Sequence, residues 1–440
     1  MPYTIDWFSL TILVIYSSLL GFIAISSAKS EIEKLYILFL SVTIVIYSGL
    51  GICYEQIGNI YLFKFLIFYT CTILSTALVF RVKSIPNNIL IKGNFNISNI
   101  VSFPTLNVLV FSFFLVYIVR LIYPNFQLWK IFNPPTLDIS NIFNRMDEQR
   151  SLPILELVRL INIFSFPFFM IYLQRKKNIL KWKSVILFIL LWIYLEFISL
   201  GYISRYELVL YFLFIFIIII NRNKTFYTIN KTHMILLVII FVILMPFFLS
   251  YESLRTGNSA ASMNFVDSSM TLIFKETGYA KYYESASNMH QNGLWARYLF
   301  WMITLPIPNI FAGPIKKTQF LVNRDFSEYY RGVSYGTQGY SVILPSIFGE
   351  ALILYGVKYY WIHGIFIGIF IGLVCKNIEK NPELRLLNLY FAIRVLAMGR
   401  GGTTGIIGMI INSMTVYIII MVLMKIIYVK KSKTKRELGI

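Results

Sequence analysis

Charged side chains are scarce along this 440-residue chain, and those whose types suit chemistry gather in four short clusters at the ends of apolar runs. The first is Gly201-Tyr202-Ile203-Ser204-Arg205-Tyr206-Glu207, and the second is Glu252-Ser253-Leu254-Arg255-Thr256-Gly257. The third runs from Arg324 through Arg331 into Gly336-Thr337-Gln338-Gly339-Tyr340 and on to Gly349-Glu350-Ala351; the fourth is Gly399-Arg400-Gly401-Gly402. A planar, permanently charged guanidinium suits bidentate phosphate binding. Glycine beside it lets a ligand approach the backbone. Arg205, Arg255, Arg331 and Arg400 are therefore candidates for holding a diphosphate, although a carboxylate or an anionic lipid meets the same chemistry. Glu350 lies inside an apolar stretch, which implies a polar cavity. Each cluster also has an ordinary reading: Arg205 snorkels or pairs with Glu207, Glu350 pairs with an arginine, and the Gly-Arg-Gly stretch is a tight turn.

Other patterns carry less chemistry. Glu156, Arg159, Glu196 and Arg394 read as helix-joining pairs, Glu156 and Arg159 being spaced to meet on one helix face. Gly364, Gly368 and Gly372 recur every four residues, a small-residue stripe for close helix packing. His290 and His363 are single histidines with structural roles as the default. Cys53, Cys71 and Cys375 lie in or at the ends of apolar runs and read as small apolar filler, with neither a disulfide framework nor zinc spacing. The chain has no phosphate-binding Gly-Lys-Ser/Thr loop, dinucleotide fingerprint, His-Glu-x-x-His or Asp-x-Asp pair. No nucleotide, metal or other cofactor is expected.

The elements that must position these clusters are membrane helices. Apolar residues make up 57% of the chain and charged ones 14%, against roughly half and a quarter in soluble domains. The apolar residues form runs of about 20, enough to cross a hydrocarbon core of roughly 30 Å. Spans are expected at 7–27, 35–53, 61–80, 105–123, 153–173, 183–200, 206–220, 233–250, 359–375, 385–398 and 403–428. Two weaker stretches, 294–312 and 341–356, read either as re-entrant or partial helices or as a full extra pair of spans. The first run reads as a span rather than a cleavable signal, since it follows Asp6 and lacks a basic start.

The expected fold is an all-α polytopic bundle of about eleven spans plus one or two partial helices. It divides into 1–250, a bundle of spans 1–8; 251–340, a large external loop with short helices; 341–428, the C-terminal membrane helices; and 429–440, a basic tail. Basic clusters at Arg175–Lys183, Arg222–Lys231, Lys376–Arg385 and Lys430–Arg436 mark the inner side. The N-terminus then lies outside and the C-terminus inside. The net charge of +20 becomes a topology signal and a contact with anionic lipids rather than a nucleic-acid footprint.

Four features together are similar to the Wzy-type O-antigen polymerases, the oligosaccharide repeat unit polymerases. They are the Arg205-Tyr206-Glu207 entrance after Gly201, the long late external loop, the Leu344-Pro345-Ser346-Ile347-Phe348-Gly349-Glu350-Ala351 to Tyr355-Gly356 stretch before a Gly-rich span, and Arg400-Gly401 before the last span. The resemblance implies a metal- and nucleotide-independent glycosyltransferase at the outer face of the bacterial inner membrane. It would join O-antigen or capsule repeat units carried on undecaprenyl diphosphate, with membrane lipids and, as an optional partner, a chain-length regulator. Arg205, Arg255, Arg331 and Arg400 would stabilise the leaving diphosphate. Glu350, with Glu207 and His290 as substitutes, would take the acceptor proton. Tyr340, with Tyr329, Tyr330 and Tyr335, would stack on sugars. A flippase or exporter of the same lipid-linked oligosaccharide and an O-antigen ligase remain the alternative readings.

Overall fold

The computed structural model describes residues 4–54, 59–82, 103–122, 128–133, 153–176, 181–201, 203–221, 276–305, 320–335, 340–378 and 382–437, with a few positions between these stretches. Among them every regular element is helical, and the one β feature is an isolated antiparallel bridge between Ile5 and Tyr54. Among the described residues seven helices are long and apolar enough to cross a membrane: Trp7–Ser27, Glu31–Cys53, Leu62–Arg81, Pro104–Ile122, Trp182–Leu200, Ser346–Lys376 and Thr404–Leu423. Their outer faces carry exposed Phe8, Phe22, Phe63 and Phe111. Water would penalise such surface, whereas lipid tails accept it. The chain is a multi-pass membrane protein.

The named elements are α1 (Trp7–Ser27), α2 (Glu31–Ile44), α3 (Leu62–Arg81), α4 (Phe103–Ile122), α5 (Pro153–Lys176), α6 (Trp182–Leu200), α7 (Arg205–Ile220), α8 (Tyr283–Met289), α9 (Leu294–Thr304), α10 (Val322–Arg331), α11 (Ser346–Lys376), α12 (Arg385–Val395), α13 (Met398–Gly401) and α14 (Thr404–Glu437). The expected span 233–250 lies mostly outside the described residues. Of the 294–312 stretch the described residues form the 11-residue α9, and most of 306–312 lies outside them. Residues 385–398, read as a span, form the 11-residue α12 and then turn into α13. At 1.5 Å per residue α12 is about 17 Å long, roughly half a hydrocarbon core. Leu396 caps α12, and Gly402, at φ 68°, caps α13.

α2 does not end in a regular turn. A π turn at Val45–Gly49 and a 3-10 turn at Leu50–Cys53 extend it. The irregularity turns the Ser48 carbonyl outward to accept the Tyr283 hydroxyl at 2.7 Å. Two glycines let other chain segments dock there. A Cβ at Gly49 would meet the Phe65 ring at 2.8 Å, and one at Gly51 would meet the Thr277 carbonyl at 2.4 Å. The 276–283 segment is thereby fixed against the end of α2.

α11 is two arms, not one rod. Gly356 has φ 66° and ψ −177°, outside the helical region. Glu350 Oε1 lies 3.2 Å from His363 Nε2 although the residues are thirteen positions apart, about 20 Å along a straight helix. Phe348 likewise packs edge-on against Tyr360, with centroids 5.8 Å apart. The 346–355 arm therefore folds back along 357–376 as a helical hairpin, which is the partial-helix expectation for 341–356. Glycine permits the reversal because φ is positive there. A Cβ at Gly356 would also strike His290, 2.6 Å away. The 357–376 arm packs on α3 through the Gly364, Gly368 and Gly372 stripe, where Cβ atoms would meet Phe68 O at 2.9 Å, Thr72 O at 2.3 Å and Val79 Cβ at 2.8 Å. Thr76 Oγ1 donates across this seam to Gly368 O at 3.0 Å.

Candidate functional site

The hairpin and α13 meet at Glu350. Its side chain has no exposed surface. Oε2 accepts the Thr403 backbone N–H at 2.6 Å, and Oε1 accepts the Thr403 hydroxyl. With its proton committed to Glu350, the Thr403 hydroxyl can only accept from the Tyr298 hydroxyl, its other partner. His363 Nε2 lies 3.2 Å from Oε1 without the alignment of a hydrogen bond. Gly402, at φ 68°, leaves room for the carboxylate: a Cβ there would sit 1.9 Å from Oε2. Asn323 of α10 closes the turn from the other side, donating to Gly401 O at 2.9 Å. In this arrangement Glu350 fastens the Gly401-Gly402-Thr403 turn to the re-entrant arm.

The turn carries Arg400. Its Nε and Nη2 donate to the two carboxylate oxygens of Glu276, at 2.7 and 3.1 Å, and Nε also reaches the Tyr279 hydroxyl at 3.1 Å. The guanidinium lies 5.6 Å from the centroid of the Tyr206 ring. Tyr47 packs on both Tyr206 and Tyr279, at 6.2 and 6.3 Å between centroids. Burial works against the charge on Arg400, but Tyr279 and Glu276 beside it raise its pKa above the usual arginine value. Burial, offset in part by Arg400, pushes the Tyr279 hydroxyl well above the usual phenol range, so it stays neutral. Arg400 and Glu276 side chains are each 23% exposed, so solvent reaches the pair.

α7 supplies the next wall. Ser204 caps it with a reciprocal box: Ser204 Oγ accepts the Glu207 N–H at 3.2 Å, and Glu207 Oε2 accepts the Ser204 N–H at 3.4 Å. The cap sets where Arg205, the first helical residue, leaves the backbone. Ser204→Ala is expected to cost about 1 kcal/mol, read as a lower unfolding midpoint in detergent with activity reduced no further than the folded fraction. Glu207 Oε1 also accepts from Arg394 Nη2 at 3.2 Å. Arg394 thus does join helices, tying α12 to α7, with its guanidinium 5.7 Å from the Tyr211 ring centroid and 5.8 Å from that of Tyr390. Behind it Glu196 accepts the Tyr211 hydroxyl at 2.9 Å.

Of the residues singled out in the sequence, the structure brings Glu350 and Arg400 onto one turn, and Arg400 onto Tyr206 of the Arg205-Tyr206-Glu207 entrance. His290 stands at the hairpin bend, half-buried, its Nδ1 2.9 Å from Ile353 O. A carbonyl only accepts, so Nδ1 carries a proton in this contact. Arg331 is exposed at the end of α10. Tyr340 is buried and packs edge-on against Tyr335, 5.1 Å between centroids. Arg255 and the side chain of Arg205 lie outside the described residues. Sequence reading passed over Glu276, Tyr279, Tyr298 and Thr403. The single signal for Glu276 was its isolation, the one acid between Asp267 and Glu284. Among the described residues no group of His, Cys, Asp and Glu has the arrangement to hold a metal. No family model matches the chain, and neither a curated protein nor a solved structure does.

Proposed function

We propose that this chain is a polymerase of lipid-linked oligosaccharide repeat units, a glycosyltransferase with about eleven spans whose site opens on the outer face of the bacterial inner membrane. The observation that supports it best is Arg400: a solvent-reached guanidinium on a rigid glycine turn, already holding two oxygens of an anion. In the proposed reaction the sugar C1–O bond to undecaprenyl diphosphate breaks, and the acceptor hydroxyl oxygen forms the new bond to C1. The hydroxyl proton passes to a base, and the diphosphate leaves with the bond's electron pair. Arg400 and Arg205 stabilise that growing negative charge; Arg255 and Arg331 belong to the same expected set. His290 is the preferred base, because in the neutral ring its hydrogen bond to Ile353 O leaves Nε2 to accept a proton. Glu350 acts by positioning, since both its oxygens are bonded to Thr403 and none of its surface is open.

The test uses purified protein with undecaprenyl-diphosphate-linked repeat units and reads the polymer length distribution. Arg400→Ala is expected to slow chain growth by about 10²–10³-fold, the usual effect of removing one transition-state charge stabiliser. Arg205→Ala should act in the same direction. If both variants keep the full length distribution, the arginine reading fails. In a deletion strain, single capped units without long polymer mark a polymerase, whereas loss of all capping marks a ligase.

A further inference from the structure

Arg400 is not the only cation facing this region with a job undone. Arg394 uses Nη2 on Glu207, but its Nε and Nη1 are buried without a hydrogen-bond partner among the described residues. The Tyr206 hydroxyl is buried and unpartnered in the same way. Tyr206 links the two arginines: its ring lies 5.6 Å from the Arg400 guanidinium, and the next residue, Glu207, is paired with Arg394. Buried N–H and O–H groups left unmade are costly. The two Arg394 groups can only donate and the Tyr206 hydroxyl can donate, so one acceptor would satisfy them together. Among the described residues the nearby acids are committed elsewhere, Glu207 to Ser204 and Arg394, and Glu196 to Tyr211.

Glu276 has the geometry of a place-holder. A carboxylate held by two parallel N–H bonds from one guanidinium reproduces how arginine grips phosphate. Glu276 sits on a segment fixed by Gly51 and by the hydrogen bond between the Tyr54 and Thr277 hydroxyls, so its carboxylate is delivered to Arg400 by the fold itself. We propose that Arg394 and the Tyr206 hydroxyl form a second anion subsite beside Arg400, that the two subsites together hold both phosphates of a diphosphate, and that Glu276 fills the Arg400 half until the ligand displaces it. A monocarboxylate has two acceptor oxygens and would leave one cation unserved; a diphosphate has enough for Arg400, Arg394 and Tyr206 together. The inference rests on the polymerase reading only for the lipid that carries the diphosphate.

The experiment is calorimetric titration of the purified full-length chain in detergent with inorganic pyrophosphate, orthophosphate and farnesyl diphosphate. Wild type should bind pyrophosphate at least about tenfold more tightly than orthophosphate, the scale of one added charge-assisted contact. Glu276→Gln, nearly isosteric but uncharged, should bind pyrophosphate about tenfold more tightly than wild type, because a competitor has been removed. Arg394→Gln should lose the preference for pyrophosphate over orthophosphate. Unchanged or weaker binding by Glu276→Gln overturns the proposal, as does an Arg394→Gln variant that keeps the preference. If Arg394→Gln does not fold, judged by elution volume and unfolding midpoint, the Glu276→Gln comparison decides alone. Tighter binding of farnesyl diphosphate than pyrophosphate assigns the site to a lipid headgroup, and equal binding assigns it to the free anion; either upholds a diphosphate site. A chain that fails to polymerise but shows the Glu276→Gln gain keeps this site and loses the polymerase reading. A chain that polymerises without that gain keeps the reading and loses the site.

Discussion

Glu350→Ala is expected to lower stability by about 1–3 kcal/mol for each buried donor it leaves unpaired. The carboxylate is the acceptor for both the Thr403 backbone N–H and the Thr403 hydroxyl. Alanine leaves the N–H buried and unpaired, and the hydroxyl keeps only Tyr298. Gly402, held at φ 68° around the carboxylate, then has nothing to close upon. Arg400 sits two residues before that glycine, so the loss of order passes directly to the guanidinium. The unfolding midpoint of detergent-solubilised protein, followed by intrinsic fluorescence, measures the first effect, and pyrophosphate affinity measures the second. Glu350→Gln retains one acceptor oxygen for the Thr403 N–H and should recover part of both. An alanine variant with unchanged midpoint and unchanged affinity would remove Glu350 from the account of how Arg400 is placed.

Gly368→Leu should be still more damaging. A single Cβ at this position would already stand 2.3 Å from Thr72 O and 2.8 Å from Ser75 Cβ. The first of these is backbone of α3 and has no rotamer into which to withdraw. Overpacking by even a methyl group typically costs about 1–3 kcal/mol, which Gly368→Ala should show. Leucine adds three carbons to the same seam, pushes 357–376 off α3, and breaks the Thr76 to Gly368 hydrogen bond. The expected readout is loss of monodisperse protein after extraction. Gly405 is the control, since a Cβ there meets nothing within 4 Å. If Gly368→Leu and Gly405→Leu give equal yields and midpoints, the glycine stripe does not set this packing.

The membrane class was plain in the sequence because hydrocarbon thickness imposes a length on apolar runs, as in 7–27 and 61–80, which became α1 and α3. The glycine stripe was legible for a similar reason: spacing by four on a helix is a one-dimensional pattern with one face as its outcome. Residues 341–376 were harder. Lys358 divides this region in the sequence, into 341–356 and 359–375, but only the φ of Gly356 shows that the chain reverses there. For the same reason the sequence pointed to Glu350 as a polar residue in an apolar stretch but not to its partner. Thr403 is an ordinary residue beside two glycines until the hairpin brings it to the carboxylate. Charge alone suggested Arg400 and Arg205; nothing local identified Glu276, whose meaning depends on Gly51 admitting the Thr277 backbone. Arg394 was read correctly as a helix-joining residue, but its two unmade N–H groups are visible only in three dimensions.

The docking of the 276–283 segment and α13 on the end of α2 has a consequence for how the protein is made. Ser48 Oγ donates to Gly399 O at 3.5 Å across 351 residues of sequence. At about 5–20 residues per second of synthesis, about 20–70 s separate the emergence of these two partners. For the first 235 residues of that interval the freed Ser48 carbonyl lacks Tyr283 and must be satisfied by water or by an insertion factor, and Gly399 arrives only at its end. The proposed anion site is therefore completed only late, once α13 emerges and docks. An arrest sequence placed after residue 395 should yield a membrane-inserted chain that lacks Arg400 and, on that proposal, does not grip pyrophosphate.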